Sequence, residues 1–269
     1  MKSVAERAPR RVESRQNSRI KELRAALARG IRTPHIALEG LHLIEEAVKS
    51  GLELHTVFVR DGSEGLLEHL AVGNAEILIV SEDVFASATM TEHPQGIAAL
   101  VQAPEFTLNA IFDGIPLVVV AGGLQDPGNL GTLVRSAEAF GATGILCLTG
   151  TVSRWNSKAM RASAGSVFRL PVLASSESKA IQHLREAGIR TVAAMAREAE
   201  PLNEFDLTGP IALFIGSEGS GLSSEIAAQC DARITIPCPG PVESLNAAVA
   251  ASVLLYEASR QRAESRRRP

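Results

Sequence analysis

The sequence is poor in the residues that mark secreted, membrane-bound or metal-binding proteins. Its three cysteines are odd in number and form no CxxC pair, a usage typical of reduced thiols. The six histidines are scattered, so no metal site is predicted. The longest apolar runs, LVVVA at 117–121 and AAVAASVLLY at 247–256, are shorter than the roughly 20 residues of a membrane span. The N-terminus lacks the apolar segment of a secretory signal, so we expect a cytoplasmic protein without a membrane anchor.

The net charge of −3 hides an uneven distribution of charge along the chain. Residues 1–32 carry a net charge of +7 and residues 260–269 carry +4, which leaves −14 for the remainder. Basic ends on an acidic body favour a polyanion as the partner of those ends. The alternative, that charged ends only keep the chain in solution, stays open on charge alone.

The chain of 269 residues is long for one domain, so two domains are predicted. Residues 1–16 are polar and basic and are predicted to form a flexible tail. Strand and helix patterns alternate over 17–104 and again over 115–269, and the irregular stretch 105–114 is predicted as a linker. Alternation of this kind predicts α/β domains with a mainly parallel sheet covered by helices on both faces.

The first informative loop is LQDPGNLGTLVRSAEAF at 124–140, which follows the apolar run IPLVVVAGG. It lacks the glycine spacing of a dinucleotide-binding loop and the lysine of a phosphate-binding loop, so both of those interpretations are weak. The helix predicted from residue 129 has an apolar stripe, and Arg135 points almost opposite to it. An outward arginine is either an ordinary solvated residue or one directed at a group outside its own domain. The stripe consists of Leu130, Leu133, Val134, Ala137 and Phe140.

Two further loops follow predicted strands. IALFIGSEGSGLSSE at 211–225 has three closely spaced glycines and places Glu218 at the carboxyl end of a strand, where open α/β sheets bind ligands. A plain turn with Ser223 as N-cap would leave these features unexplained. RITIPCPGPVESLN at 233–246 is stiffened by prolines. Ser244 is either the N-cap of the last helix or a functional residue, and both interpretations stay open.

Together these loops resemble the SpoU (TrmH-type) class of RNA 2′-O-ribose methyltransferases. The resemblance is carried, in the family's order, by DPGNLGTLVRSAEAFGATGIL, RASAGSVFRLP, FIGSEGSGLS and IPCPGPVESLNAAVAASVLLYE, over roughly residues 115–262. The N-terminal half is similar to the family's substrate-recruiting domain, a ribosomal-protein-like α/β unit that binds RNA. Its motifs are SRQNSRIKELR, ALEGLHLIEEAVKSG and HPQGIAALV.

The resemblance implies a C-terminal domain with a trefoil knot that binds S-adenosylmethionine. The family's cofactor-binding positions correspond to Gly216, Ile236 and Leu245. The resemblance also implies a homodimer in which the arginine of one protomer approaches the cofactor of the other. Five polar positions are the expected catalytic residues, namely Asn129, Arg135, Glu218, Ser244 and Asn246.

The expected reaction is methylation of a ribose 2′-hydroxyl, with ribosomal RNA as the expected substrate because a recruiting domain is present. Transfer RNA is an alternative substrate. A non-catalytic RNA-binding or ribosome-assembly protein on the same fold is a rival of a different class. The complete polar set argues against this rival, since a protein without catalysis has no need to keep it.

Overall fold

The computed structural model describes the chain except for residues 1–8, 30–34, 69, 92–93, 218, 220 and 268–269. The described residues divide into two compact units. One unit contains the residues up to Glu105 together with Trp155–Phe168, and the other contains Phe106–Arg154 and the residues from Arg169 onward. The segment Trp155–Phe168 lies in the region predicted as the second domain, but it packs with the first unit. Its Gly165 is so close to Glu46 that a Cβ atom there would lie 2.6 Å from the Glu46 Cβ.

The described strands and helices alternate through most of the chain, as the sequence predicts. The strands are β1 (Arg10–Val12), β2 (His35–Glu39), β3 (Leu54–Arg60), β4 (Glu76–Val80), β5 (Ile97–Gln102), β6 (Leu117–Ala121), β7 (Gly144–Leu148), β8 (Val172–Ser175), β9 (Arg190–Met195), β10 (Glu200–Pro201), β11 (Ile211–Ile215) and β12 (Ala232–Thr235). The helices are α1 (Ser18–Arg29), α2 (Leu41–Lys49), α3 (Glu82–Ala88), α4 (Leu108–Ile111), α5 (Pro127–Ala139), α6 (Ser157–Ser163), α7 (Glu177–Glu186), α8 (Ser224–Gln229) and α9 (Ala247–Ser265).

The first unit is built on a five-stranded mixed sheet with the order β1-β4-β3-β5-β2. Strand β5 runs antiparallel to both of its neighbours, whereas β1 and β3 run parallel to β4. Helix α1 buries Ile20 and Leu23 completely, and these side chains join the core that Phe58 and Leu78 contribute from the sheet. The predicted basic helix is therefore an integral part of this unit.

Residues 10–12, assigned to a flexible tail from the sequence, form the edge strand β1 instead. Its pairing with β4 buries Val12, and Arg10 and Arg11 form ion pairs with Glu76 and Asp61 at 3.0 and 3.3 Å. Three residues are too few for a strand to be recognised from alternation of polar and apolar side chains. The ion pairs also neutralise part of the positive charge of the N-terminal region.

The second unit contains a seven-stranded sheet with the order β10-β12-β9-β11-β6-β7-β8. Every pairing in it is parallel, which confirms the predicted sheet type. The central strands β6, β7 and β11 are buried at every position, as their continuous apolar runs predict. Helix α7 packs on β7 and β9, while α5 and α9 pack on each other and over β7 and β11. The loops that follow the strands are therefore held on a rigid support.

Candidate active site

The loops that contain the motifs of the SpoU resemblance begin at the carboxyl ends of strands in the second unit. Strand β11 lies between β6 and β9, and β12 is the next strand beyond β9. The strands are parallel, so the loops after β6, β9, β11 and β12 all emerge at one edge of the sheet. In open parallel sheets this edge is where ligands bind.

A cavity of about 950 Å³ lies at this edge, within the second unit. Its lining includes all three predicted cofactor-binding residues, Gly216, Ile236 and Leu245, together with Ser244. Further apolar lining residues come from β9, β11, β12, the adjoining loop and α9, namely Met195, Ile215, Leu222, Ile234 and Leu254. A concave site with both polar and apolar lining at the strand ends is suited to a small organic ligand.

Gly216 is required by the shape of the loop that it begins. A Cβ atom at this position would lie 2.0 Å from the carbonyl carbon of Gly221 and 2.1 Å from the nitrogen of Leu222. The loop closes through two backbone hydrogen bonds, from Ser217 N to Gly221 O at 3.1 Å and from Gly221 N to Ser217 O at 2.9 Å. The first glycine of the motif thus permits a close backbone contact on the wall of the cavity.

The loop after β6 is fixed by side-chain hydrogen bonds. The Asp126 carboxylate caps α5 by accepting from the Asn129 backbone N–H at 3.0 Å, with Pro127 at the first helical position. The Thr151 hydroxyl accepts from Gly123 N at 3.1 Å and donates to Ala121 O at 2.9 Å. The start of α5 is therefore held in place relative to the end of β6.

Asn129 and Asn246 are brought together although they are far apart in sequence. The Asn246 Nδ2 donates to the Asn129 Oδ1 at 3.2 Å. The Asn246 Oδ1 accepts from the backbone N–H groups of Ala248 and Val249 at 3.0 and 3.2 Å, so Asn246 is the N-cap of α9. The alternative interpretation of Ser244 as this N-cap is wrong. Ser244 is exposed and lines the cavity.

Arg135 is exposed on α5, and the predicted apolar stripe of this helix is buried except for Phe140, which is only half-buried. Arg135 is not among the residues that line the cavity of its own chain. The neighbouring Ser136 hydroxyl contacts the Ser252 hydroxyl of α9 at 2.7 Å, which fixes the helix that carries the arginine. Glu218, the remaining predicted site residue, lies outside the described residues.

Two charged residues of the cavity were not identified as site residues from the sequence. Arg197, in the connection after β9, and Glu243, in the loop after β12, both line the cavity. The position of Arg197 just after the apolar strand IRTVAAM is the signal that was available for it. Glu243 lies four residues before α9, which begins at Ala247, and its position in a proline-rich loop gives no local signal of a ligand contact.

Two of the three cysteines, Cys147 and Cys230, offer little nucleophilic chemistry at neutral pH. Burial raises the pKa of the Cys147 thiol to about 12 and that of the Cys230 thiol to about 11. Both thiols therefore stay protonated and are poor nucleophiles. Within the described ranges there is no group of three or more potential metal-ligating side chains, and no helix is long and apolar enough to cross a membrane.

The Asn246 amide caps α9 and donates a hydrogen bond to Asn129, and substitutions of Asn246 should distinguish these two functions. Asn246→Ala removes the cap and the bond to Asn129, so we expect a loss of about 1 kcal/mol of stability as well as slower turnover. Asn246→Asp keeps an oxygen for the cap but loses the amide donor, so we expect near-native stability with turnover reduced about tenfold. Thermal unfolding and initial rates measure the two effects.

The matched control for these variants is Asn156→Ala. Asn156 caps α6 in the other unit by accepting from Lys158 N at 2.9 Å. This variant should lose stability in the same way without a change in turnover. Equal turnover of the wild type and Asn246→Asp would contradict a role for the amide in the site.

The fold and the motifs correspond to a known family. The model of the SpoU rRNA Methylase family matches residues 116–256, and that of the MRM3-like substrate binding domain matches residues 17–99. The chain belongs to the SpoU rRNA methylase family. The predicted resemblance is thereby confirmed, as is the presence of an N-terminal substrate-binding domain.

Individual relatives cover nearly the whole chain. The 23S rRNA (guanosine(2553)-2′-O)-methyltransferase RlmP of Bacillus subtilis (strain 168) is 32% identical over 92% of this chain and 98% of its own length. The crystal structure of the SpoU methyltransferase AviRb from Streptomyces viridochromogenes with AdoMet is 29% identical, with a TM-score of 0.81 over 92% of this chain and 99% of that one. The AdoMet-bound rRNA methyltransferase from Sinorhizobium meliloti is also 29% identical, with a TM-score of 0.79 over 93% and 97%.

Proposed function

We propose that this chain transfers a methyl group from S-adenosylmethionine to a ribose 2′-hydroxyl of RNA, with ribosomal RNA as the substrate. The observation that carries the proposal is the cavity at the carboxyl edge of the parallel sheet. It is lined by Gly216, Ile236, Ser244 and Leu245, and its loop after β12 leads into the Asn246–Asn129 pair. The relatives that match more than nine-tenths of the chain include a 23S rRNA 2′-O-methyltransferase, an AdoMet-bound SpoU methyltransferase and an AdoMet-bound rRNA methyltransferase, which supports the same reaction.

The cavity fits the methyl donor in size and chemistry. Its volume of about 950 Å³ is within the usual range for small-molecule sites. Ile236 and Leu245 offer apolar surface for an adenine ring, and backbone N–H and C=O groups at these positions are the kind of group that recognises its nitrogens. When bound, the donor supplies a methyl group on a positively charged sulfur.

The residues of the chain have to position the ribose and assist loss of its proton. In-line transfer depends on alignment, so a large part of the acceleration comes from holding the 2′-hydroxyl at the mouth of the cavity. A guanidinium is a poor base that donates hydrogen bonds in a planar fork, so we assign Arg135 to clamping a phosphate and stabilising the developing alkoxide rather than to general-base catalysis. We assign Asn129, Asn246 and Ser244 to orienting the ribose and the arginine through hydrogen bonds. We assign Glu218 to anchoring Arg135 or its own loop.

We further propose that the active protein is a homodimer with composite sites. Arg135 is exposed and does not line its own cavity, which supports a role at the cavity of a second copy. Helix α9 exposes Val249, Val253 and Tyr256 by 48%, 36% and 55%, at the spacing of one helical face. Tyr256 contacts the Phe140 ring, at the end of α5, edge-on at 5.8 Å. An apolar stripe that continues onto the helix of Arg135 is suited to burial against a second copy.

Val253→Asp should therefore shift the protein to monomers at micromolar concentration, since a carboxylate in an apolar interface is costly to bury. Sedimentation velocity measures the mass. We also expect methyl transfer to fall with the dimer fraction, while circular dichroism shows an unchanged fold. The control is Ile115→Asp, an exposed apolar residue before β6 at the opposite edge of the sheet. If Val253→Asp forms dimers that are as stable as those of the wild type, the proposed interface is refuted.

The knot that the resemblance implies is part of the same proposal. Strands β9 and β10 are joined by only four residues, 196–199, yet β12 lies between them in the sheet. The position of β12 between two strands that are joined by so short a connection supports a chain that is threaded through its own loops.

We place the reaction in the cytoplasm, where ribosomal RNA and reduced thiols such as those of this chain are found.

The first unit is proposed to recruit the RNA. Arg15 and Lys21 are exposed, and neither has an acidic partner among the described residues, so both are available to phosphates. Arg10 and Arg11 are already paired with carboxylates and contribute less. Recognition through shape and backbone contacts is typical of folded RNA.

Transfer of a labelled methyl group to purified RNA tests the proposed function. Ribosomal RNA and transfer RNA from cells lacking this protein are offered separately with S-adenosylmethionine, and the product is digested to locate 2′-O-methyl nucleosides. Label in ribosomal RNA is the expected result. Label only in transfer RNA would change the substrate, and RNA binding without any label would favour the non-catalytic assembly protein.

A further inference from the structure

The connection between β9 and β10 contains Arg197, which lines the cavity, and hydrogen bonds fix the position of this connection. Because β12 lies between these strands, residues 196–199 cross β12 close to its carboxyl end. The Thr235 hydroxyl donates to the Ala196 carbonyl at 3.1 Å, and Leu202 N donates to the Thr235 carbonyl at 2.9 Å. Both ends of the connection are thus tied to the end of β12, where the cavity lies.

The backbone next to Arg197 is in an unusual conformation. Glu198 has φ of +55°, in the left-handed region that residues other than glycine rarely adopt. Such a conformation costs on the order of 1 kcal/mol and persists only where the surrounding structure enforces it. Strain of this kind is concentrated at ligand-binding positions. Here it occurs in the four-residue connection that places Arg197 on the cavity wall.

The charges of the lining indicate what Arg197 binds. Among the described lining residues, Arg197 is the one cation and Glu243 the one anion, and the others are apolar, small or uncharged. Within the part of the chain that the structure describes, no carboxylate forms an ion pair with Arg197. Arg197 is exposed and lines the cavity, so its charge is available to a ligand there.

We infer that Arg197 binds the carboxylate at the amino-acid end of the methyl donor, an assignment that rests on the proposed function. The donor carries one anionic group, this carboxylate, beside two cationic groups, the ammonium and the sulfonium. A planar guanidinium matches a carboxylate with two parallel hydrogen bonds. Glu243, on the loop after β12, has the charge that suits the ammonium group. The opposite charges of the lining thus complement the zwitterionic end of the ligand.

Two ligands that differ only at this end provide the test. S-adenosylhomocysteine carries the amino-acid group, whereas 5′-methylthioadenosine has the same nucleoside without it. Calorimetry on the full chain should show that Arg197→Ala weakens binding of S-adenosylhomocysteine about tenfold and leaves the affinity for 5′-methylthioadenosine unchanged. Arg197→Lys should recover part of the loss, because it keeps the charge but not the planar fork.

Arg185→Ala is the matched control, because it removes an exposed arginine of the same unit that bonds to the Gln229 carbonyl at 2.9 Å. It should bind both ligands as the wild type does. Equal weakening of both ligands by Arg197→Ala would show a structural role and overturn the assignment. Normal affinity for both ligands with weakened RNA binding would show that Arg197 contacts RNA phosphate, which also overturns it. Failure of the wild type to bind either ligand would instead overturn the proposed function itself.

Discussion

Arg135→Lys should lower the rate of methyl transfer by about a hundredfold while leaving the affinity for S-adenosylhomocysteine unchanged. Arg135 is exposed on α5 and does not line the cavity of its own chain, so its loss should not affect donor binding there. A lysine keeps the charge but cannot hold a phosphate and a developing alkoxide with one planar fork. Single-turnover rates with ribosomal RNA and calorimetry with the donor product measure the two quantities.

The same arginine allows a direct test of the composite site. Two differently tagged chains are co-expressed, one with Arg135→Ala and the other with Ile236→Trp, which fills the cavity. If each cavity uses the arginine of the other chain, the purified heterodimer has one intact site and about half of the wild-type activity. If each cavity uses its own arginine, both sites are defective. An inactive heterodimer of normal mass would therefore refute the composite site, whereas normal turnover of Arg135→Lys would refute the role of the arginine.

The sequence was most informative where a single local pattern determines the structure. The continuous apolar runs of β6 and β11 are buried throughout, because a strand covered on both faces has no polar side. The periodicity of α5 placed Arg135 on the outside because the opposite stripe packs against the sheet and α9. In both cases burial of one residue type decides the outcome without reference to distant parts of the chain.

Local sequence patterns do not predict structural features that depend on residues far apart in the chain. Ser244 and Asn246 are equally good N-caps by residue type, and the choice of Asn246 is fixed together with its bond to Asn129, 117 positions away. The segment Trp155–Phe168 belongs to the first unit, where Gly165 lies close to Glu46, a partner that periodicity cannot reveal. Arg197 reaches the cavity because β12 is inserted between β9 and β10, which only the strand order shows.

Gly216→Ala should cost about 2–4 kcal/mol of stability and reduce donor binding at least a hundredfold. The added Cβ would lie 2.0 and 2.1 Å from the backbone atoms of Gly221 and Leu222, far inside a normal contact. Because these neighbours are backbone, no side-chain rotation relieves the clash. The loop must instead open and lose the paired hydrogen bonds between Ser217 and Gly221, which shape one wall of the cavity. Urea unfolding and calorimetry with S-adenosylhomocysteine measure the two losses.

Gly219→Ala in the same loop is the matched control for this substitution. A Cβ atom at Gly219 would meet no heavy atom of the described residues within 4 Å, and its backbone is not in the left-handed region, so alanine should leave the stability unchanged. Both variants reduce the flexibility of the unfolded chain, but only Gly216→Ala produces a backbone clash. Comparison of the two variants therefore separates these two effects. Wild-type stability and donor affinity in Gly216→Ala would show that the loop does not close against the strand end, and the cavity wall built on that closure would have to be abandoned.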